Sequence, residues 1–120
     1  MQYMALIYND PAREPSYGTP EFDAMMKGFF AFNEVVKAAG HLVSGEGLQG
    51  IETATSLRVS GGKVETMDGP FATTKEHLGG YYVFDVPDLD MALKYAAMIP
   101  SAHFGTIEIR PLMTYNPAGN

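Results

Sequence analysis

The 120-residue chain predicts an α+β domain of the ferredoxin-like kind, with two helices on one face of an antiparallel sheet. Three observations carry this. Apolar residues recur at three- and four-residue steps in two segments, after Thr19 and after Asp88. Runs rich in β-branched and aromatic residues lie before, between and after them. The resulting order reads β-α-β-β-β-α-β, the ferredoxin-like pattern with an insertion.

Gln2 to Tyr8 forms the first strand. Tyr3, Ala5 and Ile7 face one way and Met4, Leu6 and Tyr8 the other, and both sets are largely apolar. "NDPAREPSYGTP" interrupts with proline, glycine and aspartate and reads as a loop. Thr19 caps the first helix, Pro20 suits its first position, and Glu21 complements its positive end. Phe22, Met25, Phe29, Phe32, Val36 and Ala39 form one stripe, read as core packing. Lys37 sits in the last turn and Gly40 supplies a left-handed stop. "HLVSGEGLQGIETA" reads as a loop. Thr55 to Val59 and Lys63 to Met67 make a hairpin about Gly61-Gly62. Gly80 to Val86 is a strongly apolar strand, ended by Pro87-Asp88. Asp88 caps the second helix, whose stripe is Leu89, Ala92, Leu93, Ala96 and Ile99, and Pro100 stops it. Phe104 to Arg110 is the last strand, with Ile107 and Ile109 on one face and Thr106, Glu108 and Arg110 on the other. Residues 1–113 make a single domain. Residues 114–120 form a C-terminal tail with little to hold it.

Two helices cover one sheet face, and 120 residues leave nothing for the other. A second copy of the chain, packed sheet to sheet as a homodimer, is the economical cover. A formal net charge of -6 without any lysine/arginine cluster argues against a nucleic-acid partner. The absence of cysteine excludes disulfides, thiol nucleophiles and cysteine-based zinc sites. No apolar run approaches the roughly 20 residues of a membrane span, and the N-terminus lacks the positive region of a signal peptide. A soluble, cytoplasmic protein is expected.

Candidate chemistry concentrates in "MDGPFATTKEHLGGYYVFDV". Asp68 leads a Gly-Pro turn, where a carboxylate either ties backbone N–H groups two or three residues on or works as an acid/base in a pocket. Glu76 and His77 are titratable neighbours, but adjacent strand residues point to opposite faces, so they do not form a dyad with each other. Asp68, Glu76 and His77 are the catalytic candidates. His41 follows the helix stop, where an imidazole has a structural role. The three histidines match no metal-ligand spacing, and no motif calls for a cofactor. "SGEGLQG" is not a phosphate loop, because no Lys-Ser/Thr and no helix follow it. Its Glu46 is a ligand-binding candidate, together with Arg58, Phe71 and Tyr81.

The combination of "MQYMALIYND", "GEGL", "MDGPFATTKEHLGGYYVFDVPDLDMAL" and "FGTIEIRPLM" resembles the YCII-related family, in particular its DGPF branch, over roughly residues 1 to 113. The resemblance implies a dimeric α+β barrel of ferredoxin-like subunits. It implies no reaction, since most members are uncharacterised. Three functions are compatible with it: an enzyme on a small molecule, with acid/base residues in a barrel cavity, a non-catalytic ligand-binding or regulatory module acting with a sigma-factor system through protein contacts, or a plain interaction protein with no cavity. Distant relatives are thought to use a His-Asp pair. This chain has no histidine in its first helix, so that pair does not carry over. It also has Thr73 where the branch commonly has glutamate, and His77 where it often has glutamine.

Overall fold

The computed structural model describes residues 1–114. Six strands and two helices follow in the order β1 (Gln2–Asn9), α1 (Pro20–Ala38), β2 (Leu42–Gly47), β3 (Thr55–Ser60), β4 (Lys63–Asp68), β5 (His77–Asp85), α2 (Leu89–Met98) and β6 (Gly105–Pro111). The main sheet has the strand order β2-β5-β1-β6, and β3-β4 stand apart as a two-stranded sheet. Removing that hairpin leaves βαββαβ, with every neighbouring pair antiparallel. This is the ferredoxin-like arrangement with one hairpin inserted.

The helix ends follow the sequence signals. The Thr19 hydroxyl accepts from the Phe22 N–H at 3.1 Å, and the Asp88 carboxylate accepts from the Met91 N–H at 2.9 Å. Gly40 has φ +76°; its N–H donates to the Lys37 carbonyl and the His41 N–H to that of Val36. These two bonds close α1 in a Schellman turn. Gly61 and Gly62, at φ +57° and +80°, form the two-residue turn of the hairpin.

Three expectations need correction. Residues 42–47 are a strand, not a loop: β2 pairs with β5 from Leu42 to Gly47 and supplies the fourth strand of the main sheet. Its glycines masked it, because glycine has no strand propensity of its own. The strand expected at Gly80 begins at His77. In α2, Leu89 and Leu93 are exposed, and the buried face is Ala92, Tyr95 and Ala96, continuing to Ile99. Of the expected tail, residues 115–120 lie outside the described residues.

The core lies between the helices and one sheet face. Tyr3, Ala5, Ile7, Tyr82 and Phe84 meet Phe32 and Val36 of α1 and Ala92, Tyr95 and Ile99. Phe32 packs edge-on to Tyr82, Phe84 and Tyr95. His41 closes this cluster, its Nδ1 2.7 Å from the Tyr95 hydroxyl. On the opposite sheet face, Met4, Leu6, Tyr8 and Tyr81 are half-buried and Val83 is buried, with no helix over them among the described residues. No described helix is long and apolar enough to cross a membrane.

Candidate functional site

A cavity of about 490 Å³ opens between the first half of α1 and the β2–β5 part of the sheet. Its cause is visible in the strand register. Gly45 and Gly47 of β2 and Gly80 of β5 occupy helix-facing positions, Gly45 opposite Tyr82 and Gly47 opposite Gly80. With no side chains there, the sheet leaves a gap that larger residues would have filled. The α1 stripe therefore divides. Phe32 and Val36 enter the core. Phe22, Met25 and Phe29, with Met26 and Phe30, wall the cavity. The core packing expected of the stripe also holds for Met25, which is buried, and for Phe29, which packs against the core cluster.

The polar wall comes from strand ends and from α1. His77 and Asn9 both line the cavity and are register partners. Counting back from Gly80 in a regular strand would place His77 on the opposite face. A bulge lies between the pairs Ile7–Gly80 and Tyr8–Leu78, leaving Gly79 as the extra residue. It shifts the alternation by one and turns His77 to the helix side. Gly80 is required for a second reason: a Cβ there would lie 2.7 Å from the Glu46 carbonyl oxygen. Deeper in, the Tyr82 phenol donates to Asn33 Oδ1 at 2.7 Å. Burial pushes the Tyr82 pKa above its ordinary value of 10.0. Because its oxygen is held by Tyr82, the Asn33 amide is fixed in orientation, with its N–H donors left for another acceptor. Ser101, buried, Glu14 and Gln49 add to the polar lining. Asn9, Asn33, Tyr82, Ser101 and Glu14 were not among the sequence candidates, and no motif marks them.

The seven sequence candidates scatter. His77 lines the cavity. Glu46 and Tyr81 do too, but they pair with each other one position off the helix-facing set. Their side chains stand on the open face, and their backbone borders the cavity. Glu76 lies on that other face as well: its Oε2 accepts from the Thr106 hydroxyl at 3.3 Å, and its Oε1 is closed off from solvent without a partner. Asp68, Arg58 and Phe71 sit on the β3–β4 hairpin and its exit, outside the cavity. Arg58 lies over the Phe71 ring at 5.1 Å. The Asp68 carboxylate holds no hydrogen bond among the described residues. Its turn is tied by the Gly69 N–H to the Ala54 carbonyl and by the Ser56 hydroxyl to the Gly69 carbonyl, each at 2.8 Å. The turn-tying role expected of Asp68 is filled by Asp10, 4% exposed, whose carboxylate accepts from the Ala12 N–H at 2.9 Å. Among the described residues no group of three or more His, Cys, Asp or Glu side chains is placed to hold a metal ion.

Known proteins match both the chain and its shape. An uncharacterized protein of Rhizobium meliloti (strain 1021) is 37% identical over 119 residues, covering 98% of this chain and 96% of that protein. Among solved structures, 5-chloro-2-hydroxyhydroquinone dehydrochlorinase (TftG) from Burkholderia phenoliruptrix AC1100, in complex with 2,5-dihydroxybenzoquinone, superposes with a TM-score of 0.52 over 94% of each chain. At 11% identity that likeness shows a common fold and nothing finer. The YCII-related domain matches residues 1–116, spanning every strand and helix described above. With the 37% identical relative and the ferredoxin-like topology in agreement, the chain belongs to the YCII-related domain family.

Proposed function

We propose that the chain takes up a small, flat organic molecule bearing oxygen substituents in the cavity between α1 and the sheet, and that His77 moves a proton on it. The observation that carries this is the cavity itself. Phe22, Met25, Met26, Phe29 and Phe30 line one side, and His77, Asn9, Asn33 and Tyr82 supply polar groups. An apolar body with a few placed polar contacts is the usual make-up of a small-molecule site, and imidazole is the side chain best suited to give and take a proton near neutral pH. The solved neighbour named above, a dehydrochlorinase, holds 2,5-dihydroxybenzoquinone, a ligand of this size and polarity. We also place the chain in the DGPF branch, on Asp68-Gly69-Pro70-Phe71, and propose that it works as a homodimer through the open sheet face.

A specific observation favours a second reading, a ligand-binding module without catalysis. Neither Asp68 nor Glu76 reaches the cavity, so His77 has neither carboxylate beside it there. One experiment separates the two. Binding of 2,5-dihydroxybenzoquinone and related hydroxylated rings is titrated calorimetrically, and their turnover is followed by absorbance. Enzyme behaviour predicts turnover that His77→Gln abolishes while binding persists. Binding without turnover in the wild type supports the module. If no such ring binds at millimolar concentration, the cavity assignment falls.

A further inference from the structure

Asn33 interrupts the apolar wall that α1 gives the cavity. It follows Phe29 by four residues and Phe30 by three, so it shares their side of the helix and lines the same space. Tyr82 fixes the state of its amide. The Tyr82 side chain is buried, and a buried hydroxyl needs an acceptor for its proton. Asn33 Oδ1 is that acceptor, at 2.7 Å. The Nδ2 end is left over. Among the described residues it donates to no protein acceptor, and it is not one of the solvent-closed polar atoms without a partner, which are Asn9 Oδ1 and Glu76 Oε1. Held N–H donors at this point ask the ligand for an acceptor.

His77 stands at the other end of the cavity. The register on β1 runs from Ala5, opposite Tyr82, to Asn9, opposite His77. Four steps along a strand separate those positions by about 13 Å. A single ring reaches both only through substituents at opposite ends.

We propose that Asn33 determines the specificity of the cavity: it takes the carbonyl oxygen of a ring whose hydroxyl, conjugated with that carbonyl from the opposite end, lies at His77. The inference rests on the cavity reading given above and adds which ring is taken. When His77 takes the hydroxyl proton, the O–H bond breaks and an N–H bond forms on the imidazole. The electron pair left on the oxygen is shared through the ring with the distant carbonyl oxygen. Among the described residues no lysine or arginine lines the cavity to meet that charge. The Asn33 donors meet it instead, and their bond strengthens as the charge arrives. A ring with the hydroxyl but no carbonyl leaves those donors unpaired and keeps its charge at the His77 end.

Calorimetric titration compares 4-hydroxyacetophenone with 4-ethylphenol, which has the same ring and hydroxyl but no carbonyl. Wild type should bind the ketone about tenfold more tightly, the usual consequence of one unpaired donor. In Asn33→Leu the two affinities should become equal, by loss of ketone binding. Tyr82→Phe keeps Asn33 but frees its amide to turn, so the preference should shrink there too, and this variant carries the test if Asn33→Leu does not fold. Absorbance gives a second readout: the bound ketone should change from phenol to phenolate at lower pH in wild type than in Tyr82→Phe. Equal affinities for the two rings in wild type, or a preference that survives either substitution undiminished, overturn the assignment of Asn33 and leave the cavity reading standing. If neither ring binds at millimolar concentration, both fall.

Discussion

Asp10 and Asp68 each lead into a proline-containing turn, yet one of them holds its turn and the other does not. Asp10 is buried, accepts from the Ala12 N–H, and also carries the loop on its carbonyl, which accepts from the N–H groups of Arg13 and Glu14. Asp68 is exposed and holds no hydrogen bond among the described residues, its turn held by Gly69 and Ser56. Asp10→Ala should therefore cost about 1–2 kcal/mol, as loss of a comparable capping bond does. Asp68→Ala should stay within about 0.5 kcal/mol, the range of surface changes that break nothing. Urea denaturation of the two variants at neutral pH makes the comparison, and a reversed ranking would show that the Asp68 carboxylate has a partner. Tyr82 offers a test by pH. Burial raises its pKa above 10.0, so the folded chain keeps the phenolic proton where the unfolded chain releases it. Its contribution to stability is then full below the unfolded value and is lost as pH rises through the folded one. Wild-type stability should fall more steeply than that of Tyr82→Phe as pH is raised from about 9 to 11. At neutral pH, Tyr82→Phe should cost about 1 kcal/mol for the bond to Asn33. Parallel pH profiles for the two proteins would mean that Tyr82 does not carry this dependence.

The strands show what a sequence can and cannot disclose. Helix caps, the Gly61-Gly62 turn and the apolar strands were legible because each is fixed by a local rule: a hydroxyl or carboxylate at the N-cap, paired glycines in a tight turn, alternation across a pleat. β2 was not, since Ser44, Gly45, Glu46 and Gly47 carry no strand signal and are held in the sheet by pairing with β5. The cavity was illegible for the same reason. It exists because three glycines from two separate strands coincide on the helix-facing surface, which is a matter of register and not of local pattern. His77 was named as a titratable residue beside Glu76 in the stretch from Met67 to Val86, but the bulge that aims it becomes visible in the pairing of β1 with β5. Gly79-Gly80 thus performs two tasks, one glycine allowing the bulge and the other the close approach of β2. Gly80→Ala forces a methyl group against the Glu46 carbonyl oxygen, and backbone has little freedom to retreat. It should cost about 1–3 kcal/mol, the usual range for overpacking. Thermal denaturation reads this directly. A neutral outcome would mean that β2 separates from β5 without penalty and that the glycine-lined wall is soft.

Taken whole, the molecule is a plate of 48 × 48 × 18 Å, with helices and cavity on one face and an apolar sheet surface on the other. The proposed ligand uptake and the proposed assembly fall on opposite sides of one sheet. Gly47 is the position where this separation is most cleanly tested. It lies on the helix-facing side opposite Gly80, borders the cavity, and would meet no atom within 4 Å if given a Cβ. Its backbone is outside the left-handed region, so a larger side chain brings no strain. In Gly47→Leu the isobutyl group should occupy cavity space, and removing a glycine lowers the entropy of the unfolded chain, worth about 0.4–1 kcal/mol. Stability without ligand should therefore hold or rise, and the sedimentation coefficient should match that of wild type. With a bound ring at one hundred times its dissociation constant, wild type should gain about 2.7 kcal/mol by mass action. Gly47→Leu should gain nothing, because the ring has lost its place. The measurement is a pair of melting curves for each protein, with and without ligand. An undiminished ligand-induced rise in Gly47→Leu would place the ligand elsewhere, and a change of assembly state in that variant would show that the two faces are not independent.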